Sequence, residues 1–175
     1  MRSAKRSKYT LAEINSLSRQ DFVRIIGPVF EHSAWIAETT WPQRPFTSVD
    51  HLHRALCETV NSAGEERQLA LIRAHPDLVD AAAVAGTLTA ASTKEQASAG
   101  LDQLTPEEIA RFQKFNDAYR SRFGFPFVIC ARLNKKETIV NGFRVRLEHS
   151  RAEEIKTSLE EIGKIAWLRL KDLVS

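Results

Sequence analysis

The sequence has 175 residues, 43% of them hydrophobic and 27% charged, with two Cys, seven Gly and six Pro. That size suits one globular domain, and the mixed-sign charge and ordinary Gly and Pro content exclude a disordered or fibrous chain. No apolar stretch reaches the ~18 residues of a membrane-spanning helix, so a soluble fold without a membrane partner is expected.

The 25 Lys+Arg exceed the 22 Asp+Glu, but Arg2, Lys5, Arg6 and Lys8 fall in the first ten positions, where no acid accompanies them. The rest of the chain is close to neutral. The pI near 9.0 therefore belongs largely to a tail, and a nucleic-acid footprint across the fold is not expected. Residues 1–8 read as a basic, flexible tail in front of a domain over 9–175. The start lacks the apolar stretch of a secretory signal. Cys57 and Cys130 lie 73 positions apart with no Cys/His cluster around them. Two buried thiols in a reducing, cytoplasmic setting are expected, not a disulfide or a zinc site.

Five helix starts carry the S/T-x-x-D/E capping signal: Thr10 with Glu13, Ser18 with Asp21, Ser92 with Glu95, Thr105 with Glu108, and Ser150 with Glu153. Thr105 is followed by Pro106, which loses no hydrogen bond at a first helical position. Phe22, Ile26, Val29 and Ser33 repeat at helical spacing, as do Ile109, Phe112, Asn116, Tyr119 and Phe123. Helices are also expected over 48–63, 65–74 and 136–148, with a long last helix whose apolar stripe holds Ile155, Leu159, Ile162, Ala166 and Leu173. Segments 41–47 and 80–91 read as loops. The one extended run is Phe125 to Ala131, and a single run makes no sheet, so the fold class is all-α in one multi-helix domain.

Common catalytic fingerprints such as G-x-S-x-G, H-E-x-x-H and the P-loop are absent. His51 and His53 diverge by about 200° on a helix, which suits a surface pair and not two ligands, and no metal is expected. His75 stands before Pro76, which forces a sharp helix exit there. A ring held by a rigid turn suits a general acid or base, although it also suits a C-terminal cap. The Ser92-Thr93-Lys94-Glu95-Gln96 stretch reads as a capped helix start, where N–H groups, a hydroxyl and an amide also form an oxyanion cradle. The unpaired backbone of Phe127, Val128, Ile129, Cys130 and Ala131 suits a flat, amide-rich ligand. Residues 120–151 carry eight basic side chains against Glu137 and Glu148, most of which solvated helix faces explain. Arg169 falls on the apolar stripe of the last helix and needs a structural carboxylate or an anionic substrate as partner.

Together these blocks resemble the 2-oxo-4-hydroxy-4-carboxy-5-ureidoimidazoline (OHCU) decarboxylase family of urate breakdown. The resemblance runs nearly end to end. It rests on Phe30-Glu31-His32-Ser33, Arg44-Pro45-Phe46, Arg73-Ala74-His75-Pro76-Asp77-Leu78, Leu88-Thr89 through Ser92-x-x-Glu95-Gln96, Asn116-x-x-Tyr119 and Phe123-Gly124-Phe125-Pro126-Phe127-Val128. It implies an all-helical, cofactor-free, commonly homodimeric enzyme acting on a small ureidoimidazoline. It makes His75 the catalytic acid/base with Glu95, and it puts Pro76, Ser92 to Gln96, Phe127 to Ala131 and Arg169 around the substrate. Two features depart from the pattern. Val79-Asp80 stands where a small residue often follows, and the chain ends Asp172-Leu173-Val174-Ser175 without the Ser-Lys-Leu peroxisomal address of animal relatives. The competing readings are an all-α module that binds an acidic partner through residues 120–151, and the same fold acting on a related ureide.

Overall fold

The computed structural model describes residues 8–79 and 88–175. Residues 1–7 of the expected basic tail and residues 80–87 of the expected loop lie outside the described residues. Within them the fold is all-α, with nine helices, three 3-10 turns and no strand. The helices are α1 (Leu11–Ser16), α2 (Arg19–Ile26), α3 (Trp35–Thr40), α4 (Val49–Ser62), α5 (Glu65–Arg73), α6 (Ala90–Ser98), α7 (Pro106–Phe123), α8 (Lys136–Arg146) and α9 (Arg151–Leu173). They form two compact units, one of Met1–Leu71 with Gly163–Ser175 and one of Ile72–Ile162.

The caps explain where most helices begin. Thr10 and Thr105 form full capping boxes with Glu13 and Glu108, and Pro106 takes the first position of α7. Ser150 and Glu153 exchange the same two bonds at 3.2 and 2.7 Å ahead of α9. Ser92 departs from the expectation. The cap of α6 is Thr89, whose hydroxyl accepts from the Ser92 N–H at 3.2 Å, so α6 starts inside the expected loop. Ser92 sits in the first turn, and Ser92, Glu95 and Gln96 then share one helical face instead of forming an N-terminal turn. The Phe22-to-Ser33 repeat is likewise not one helix: α2 ends at Ile26 and Pro28 sets a 3-10 turn over Gly27–Val29. All four residues are nonetheless buried.

In the first unit, Phe22 and Phe46 stack with centroids 6.2 Å apart. The Asn15 amide donates to Phe46 O (2.9 Å) and accepts from Phe46 N–H (2.8 Å), pairing like a short piece of strand. Arg44, before a cis bond to Pro45, donates to Asn15 O and Leu17 O at 2.8 Å each and covers the Trp41 ring. Trp35, Trp41 and Trp167 all belong to this unit. In the second unit, Phe112, Phe115, Tyr119, Phe127 and Phe143 make an aromatic core, with Phe127 and Phe143 stacked at 3.8 Å. Gly142 lets α8 come close to the Phe125–Ala131 run, because a Cβ there would meet Phe127 Cζ at 3.4 Å.

The buried stripe of α9 is not the one expected. Ile155, Leu159 and Leu173 are only half-buried, and the covered face runs Glu154, Ser158, Ile162, Ala166 and Leu170. Its first two members are polar because they face a buried arginine, Arg146. The thiol expectation also needs correcting in part: both cysteines are free, Cys130 buried but Cys57 only half-buried.

Candidate active site

α5 ends at Arg73, and Pro76 stops any further turn, so His75 leaves the helix with its N–H on Ile72 O (3.2 Å) and is a buried residue, 7% exposed. Four ties hold the residues around it. Arg73 Nε donates to the carbonyl of Gly124, the left-handed residue (φ 78°) that ends α7. Arg120 pairs with Asp77 at 2.8 Å, and the Asn116 amide donates to Leu78 O at 2.7 Å. The Val79 N–H donates to Gln96 Oε1 at 3.2 Å. Val79 has φ 56°, a conformation a β-branched residue adopts only when its surroundings impose it. The sequence blocks around His75, Gln96, Asn116 and Gly124 are therefore one bonded assembly within the second unit.

α6 carries the second set of residues. Ser92 and Gln96 are buried and Glu95 half-buried, while Thr93 and Lys94 lie on the exposed side and the Thr93 hydroxyl turns back to Thr89 O at 3.1 Å. Gln96, expected against substrate, places its amide oxygen on the His75 loop. α6 packs on the 3-10 turn Ala131–Leu133, which brings its polar face to the end of the Phe127–Ala131 run. Burial pushes the Cys130 thiol above its ordinary range, and the nearby Glu161 and Glu95 carboxylates push it the same way.

The run is unpaired by any strand, as expected, but it is shorter than expected: Phe125 lies in a bend and Ala131 already belongs to the 3-10 turn. Three of its backbone groups are taken by side chains: Val128 O accepts from Arg146 Nη1 at 2.7 Å, the Cys130 N–H donates to Glu161 Oε2 at 2.8 Å, and Cys130 O accepts from Asn134 Nδ2 at 2.9 Å. Behind it lies a polar cluster that sequence reasoning missed. Glu154, fully buried, accepts from Arg146 Nε (2.9 Å), from His149 Nδ1 (2.8 Å) and from the Tyr119 hydroxyl. Burial, then the bond to Glu154, drives the Tyr119 phenol far above its usual range. The available signal was Glu154 and Ser158 extending, at four-residue steps, the face of Ile162, Ala166 and Leu170.

Arg169 belongs to the first unit. Its guanidinium donates to Glu31 Oε1 (3.0 Å) and Val29 O (3.4 Å), and Glu31 is 3% exposed, so a structural carboxylate does meet it. The two histidines make separate contacts, but they are half-buried and not the expected surface pair. His51 Nδ1 accepts from the Thr47 N–H and its ring packs on Phe46. The His53 ring packs on Trp167, and its Nε2 donates to Gly163 O at 2.8 Å. Cys57 Sγ lies 3.4 Å from that nitrogen, but burial and the Glu58 charge raise its pKa to about 11, which makes it a poor nucleophile. Among the described residues no group of three or more His, Cys, Asp or Glu is placed to hold a metal ion. Three of the eight basic residues of 120–151 are paired with acids: Arg120 with Asp77, Lys136 with Glu108, and Arg146 with Glu154.

A family model described as OHCU decarboxylase matches residues 15–171. The chain is 41% identical over 167 residues to the 2-oxo-4-hydroxy-4-carboxy-5-ureidoimidazoline decarboxylase of Halalkalicoccus jeotgali, covering 95% of this chain and 93% of that protein. It is 37% identical over 164 residues to the decarboxylase of the same name from Mus musculus, covering 94% and 92%. Among solved structures, the crystal structure of an (S)-allantoin synthase superposes with TM-score 0.75 at 28% identity, over 95% of this chain and about half (54%) of that one. The assembly around His75, the α6 face and the extended run thus sits on a chain that belongs to the OHCU decarboxylase family.

Proposed function

We propose that this chain decarboxylates OHCU to allantoin in urate breakdown, with (S)-allantoin as the product. The observation that carries the reading is the buried His75 at a helix exit whose loop is bonded, through Val79, to the residue next to Glu95. The substrate bears a carboxylate and a hydroxyl on C4, beside a C5=N bond. Loss of CO2 leaves an electron pair that forms C4=C5 while the C=N π pair moves to nitrogen, which takes a proton. The resulting enol gives up its hydroxyl proton and C5 gains one, leaving a C4 carbonyl. The substrate is its own electron sink, so the chemistry asked of the protein is orientation and one face-selective proton delivery.

In this reading His75 delivers that proton and is polarised by Glu95. Ser92, Glu95 and Gln96 present the polar face of α6, with Thr93 and Lys94 at its margin. Pro76 fixes the turn, and the Phe127–Ala131 backbone meets the amide functions. Arg169, fixed by Glu31, is assigned the anionic oxygens. We further infer a homodimer, a cytoplasmic setting, and a domain over 9–175 behind a basic segment 1–8; among the described residues no helix is long and apolar enough to cross a membrane.

Freshly generated OHCU followed by circular dichroism tests the reading. Accelerated appearance of one allantoin enantiomer supports it. Decay at the uncatalysed rate, to racemic product, overturns it.

A further inference from the structure

Three side chains hold the run: Asn134 takes Cys130 O, and two others take backbone groups on either side of Ile129. Arg146, from α8, takes Val128 O, and Glu161, from α9, takes the Cys130 N–H. The Arg146 contact is deeply buried. The Arg146 side chain is 8% exposed, lies 4.2 Å over the Phe127 ring, and is locked by Glu154, which is 0% exposed. The Ile129 N–H and C=O have no hydrogen-bond partner among the described residues.

We propose that Arg146 and Glu161 are positioning residues: by clamping Val128 O and the Cys130 N–H on either side of Ile129, they fix the Ile129 donor–acceptor pair for the substrate's amide groups. Neither touches the reacting atoms. A neighbouring donor and acceptor held rigid cost less to order on binding than a free loop would, and a cyclic ureide offers the complementary pair. The chemistry rests on the proposed decarboxylase reading, whereas the clamp is a property of the backbone.

The test compares Glu161→Ala, Glu161→Gln and Arg146→Lys with the wild type, each first shown to be folded by thermal melting. Glu161→Ala should raise KM for OHCU about tenfold with a much smaller change in kcat, the pattern of lost uniform binding. Glu161→Gln keeps an acceptor for the Cys130 N–H and should recover most of that loss. Arg146→Lys should behave like Glu161→Ala, since a lysine cannot hold Glu154 and Val128 O together. Amide exchange gives the independent readout: the Cys130 amide should exchange at least about tenfold faster in Glu161→Ala, as expected for a lost hydrogen bond to a charged acceptor. Folded variants with unchanged KM, or unchanged Cys130 exchange, overturn the proposal. A wild type inert toward OHCU condemns the decarboxylase reading instead, and the exchange measurement still decides the clamp.

Discussion

Replacing Glu154 by Gln should be among the most destabilising single-atom changes available to this chain. Oε2 accepts from the Tyr119 hydroxyl and from Arg146, and Oε1 from Arg146 and His149. A carboxamide has one acceptor oxygen, so its NH2 group must face donors whichever way it turns. It also leaves the Arg146 charge buried without its counter-ion. Breaking a buried pair from one side costs about 3–5 kcal/mol. At roughly 2–4 °C per kcal/mol for a chain of this size, the melting temperature should fall by on the order of 10 °C. The interaction, and not the lost contacts alone, is isolated by a double-mutant cycle with Arg146→Met, followed by thermal and urea unfolding. Because the second change removes the orphaned charge, the double variant should be less destabilised than the two singles added, by about 2 kcal/mol. A Glu154→Gln protein melting within about 2 °C of wild type, or a cycle additive to within about 0.5 kcal/mol, refutes the reasoning.

Further outcomes follow from the same geometry. His75→Asn keeps a polar group at the helix exit but no proton to exchange near neutral pH; kcat should fall about 10²–10⁴-fold, and the allantoin formed should lose its handedness in circular dichroism. A folded His75→Asn enzyme that still yields one enantiomer at near wild-type rate would reduce His75 to a cap. Arg169→Lys should lower kcat/KM by at least about tenfold, because an ammonium cannot reproduce the planar fork that meets Glu31 and Val29 O; melting temperature and rate on one sample separate this from mere destabilisation. The Cys57 thiol, with a pKa near 11, should react with a disulfide reagent at pH 8 about 100-fold more slowly than an ordinary thiol. Since the unfolded chain gives up that proton first, stability should fall from about pH 9 up to pH 11, measured by urea midpoint, and Cys57→Ser should flatten the slope.

The elements most legible in the sequence were those decided by local chemistry. Thr10, Thr105 and Ser150 cap where their acids say they should, because a hydroxyl and a carboxylate three residues apart satisfy first-turn donors without help from the rest of the fold. Ser92 shows the limit of that logic. Thr89 lies three residues earlier and is equally able to cap, and only packing decides between them. The blocks at His75 and Gly124 were readable as a turn and a helix stop, but the ties between them span 51 residues, a distance no local pattern encodes. Arg146 was hidden for a different reason. In a run of basic side chains nothing local marks the one that turns inward, and counting only apolar residues on α9 passes over Glu154 and Ser158, which occupy the buried face because Arg146 is there to meet them.

The distribution of aromatic residues makes the two units optically distinct. All three indoles lie in the unit of Met1–Leu71 with Gly163–Ser175, whereas the unit that carries His75 and the extended run holds phenylalanines and Tyr119. Emission excited beyond the tyrosine band therefore reports on one unit only. Tyr119, locked in its carboxylate bond, absorbs in the near ultraviolet together with Tyr9 and the indoles of the first unit, so its share, taken as the difference from a Tyr119→Phe variant, supplies the second channel. Recording both during denaturant titrations reads the cooperativity of the chain without any label: coincident curves mean one folding transition, and separated curves mean that the unit carrying His75 melts on its own schedule.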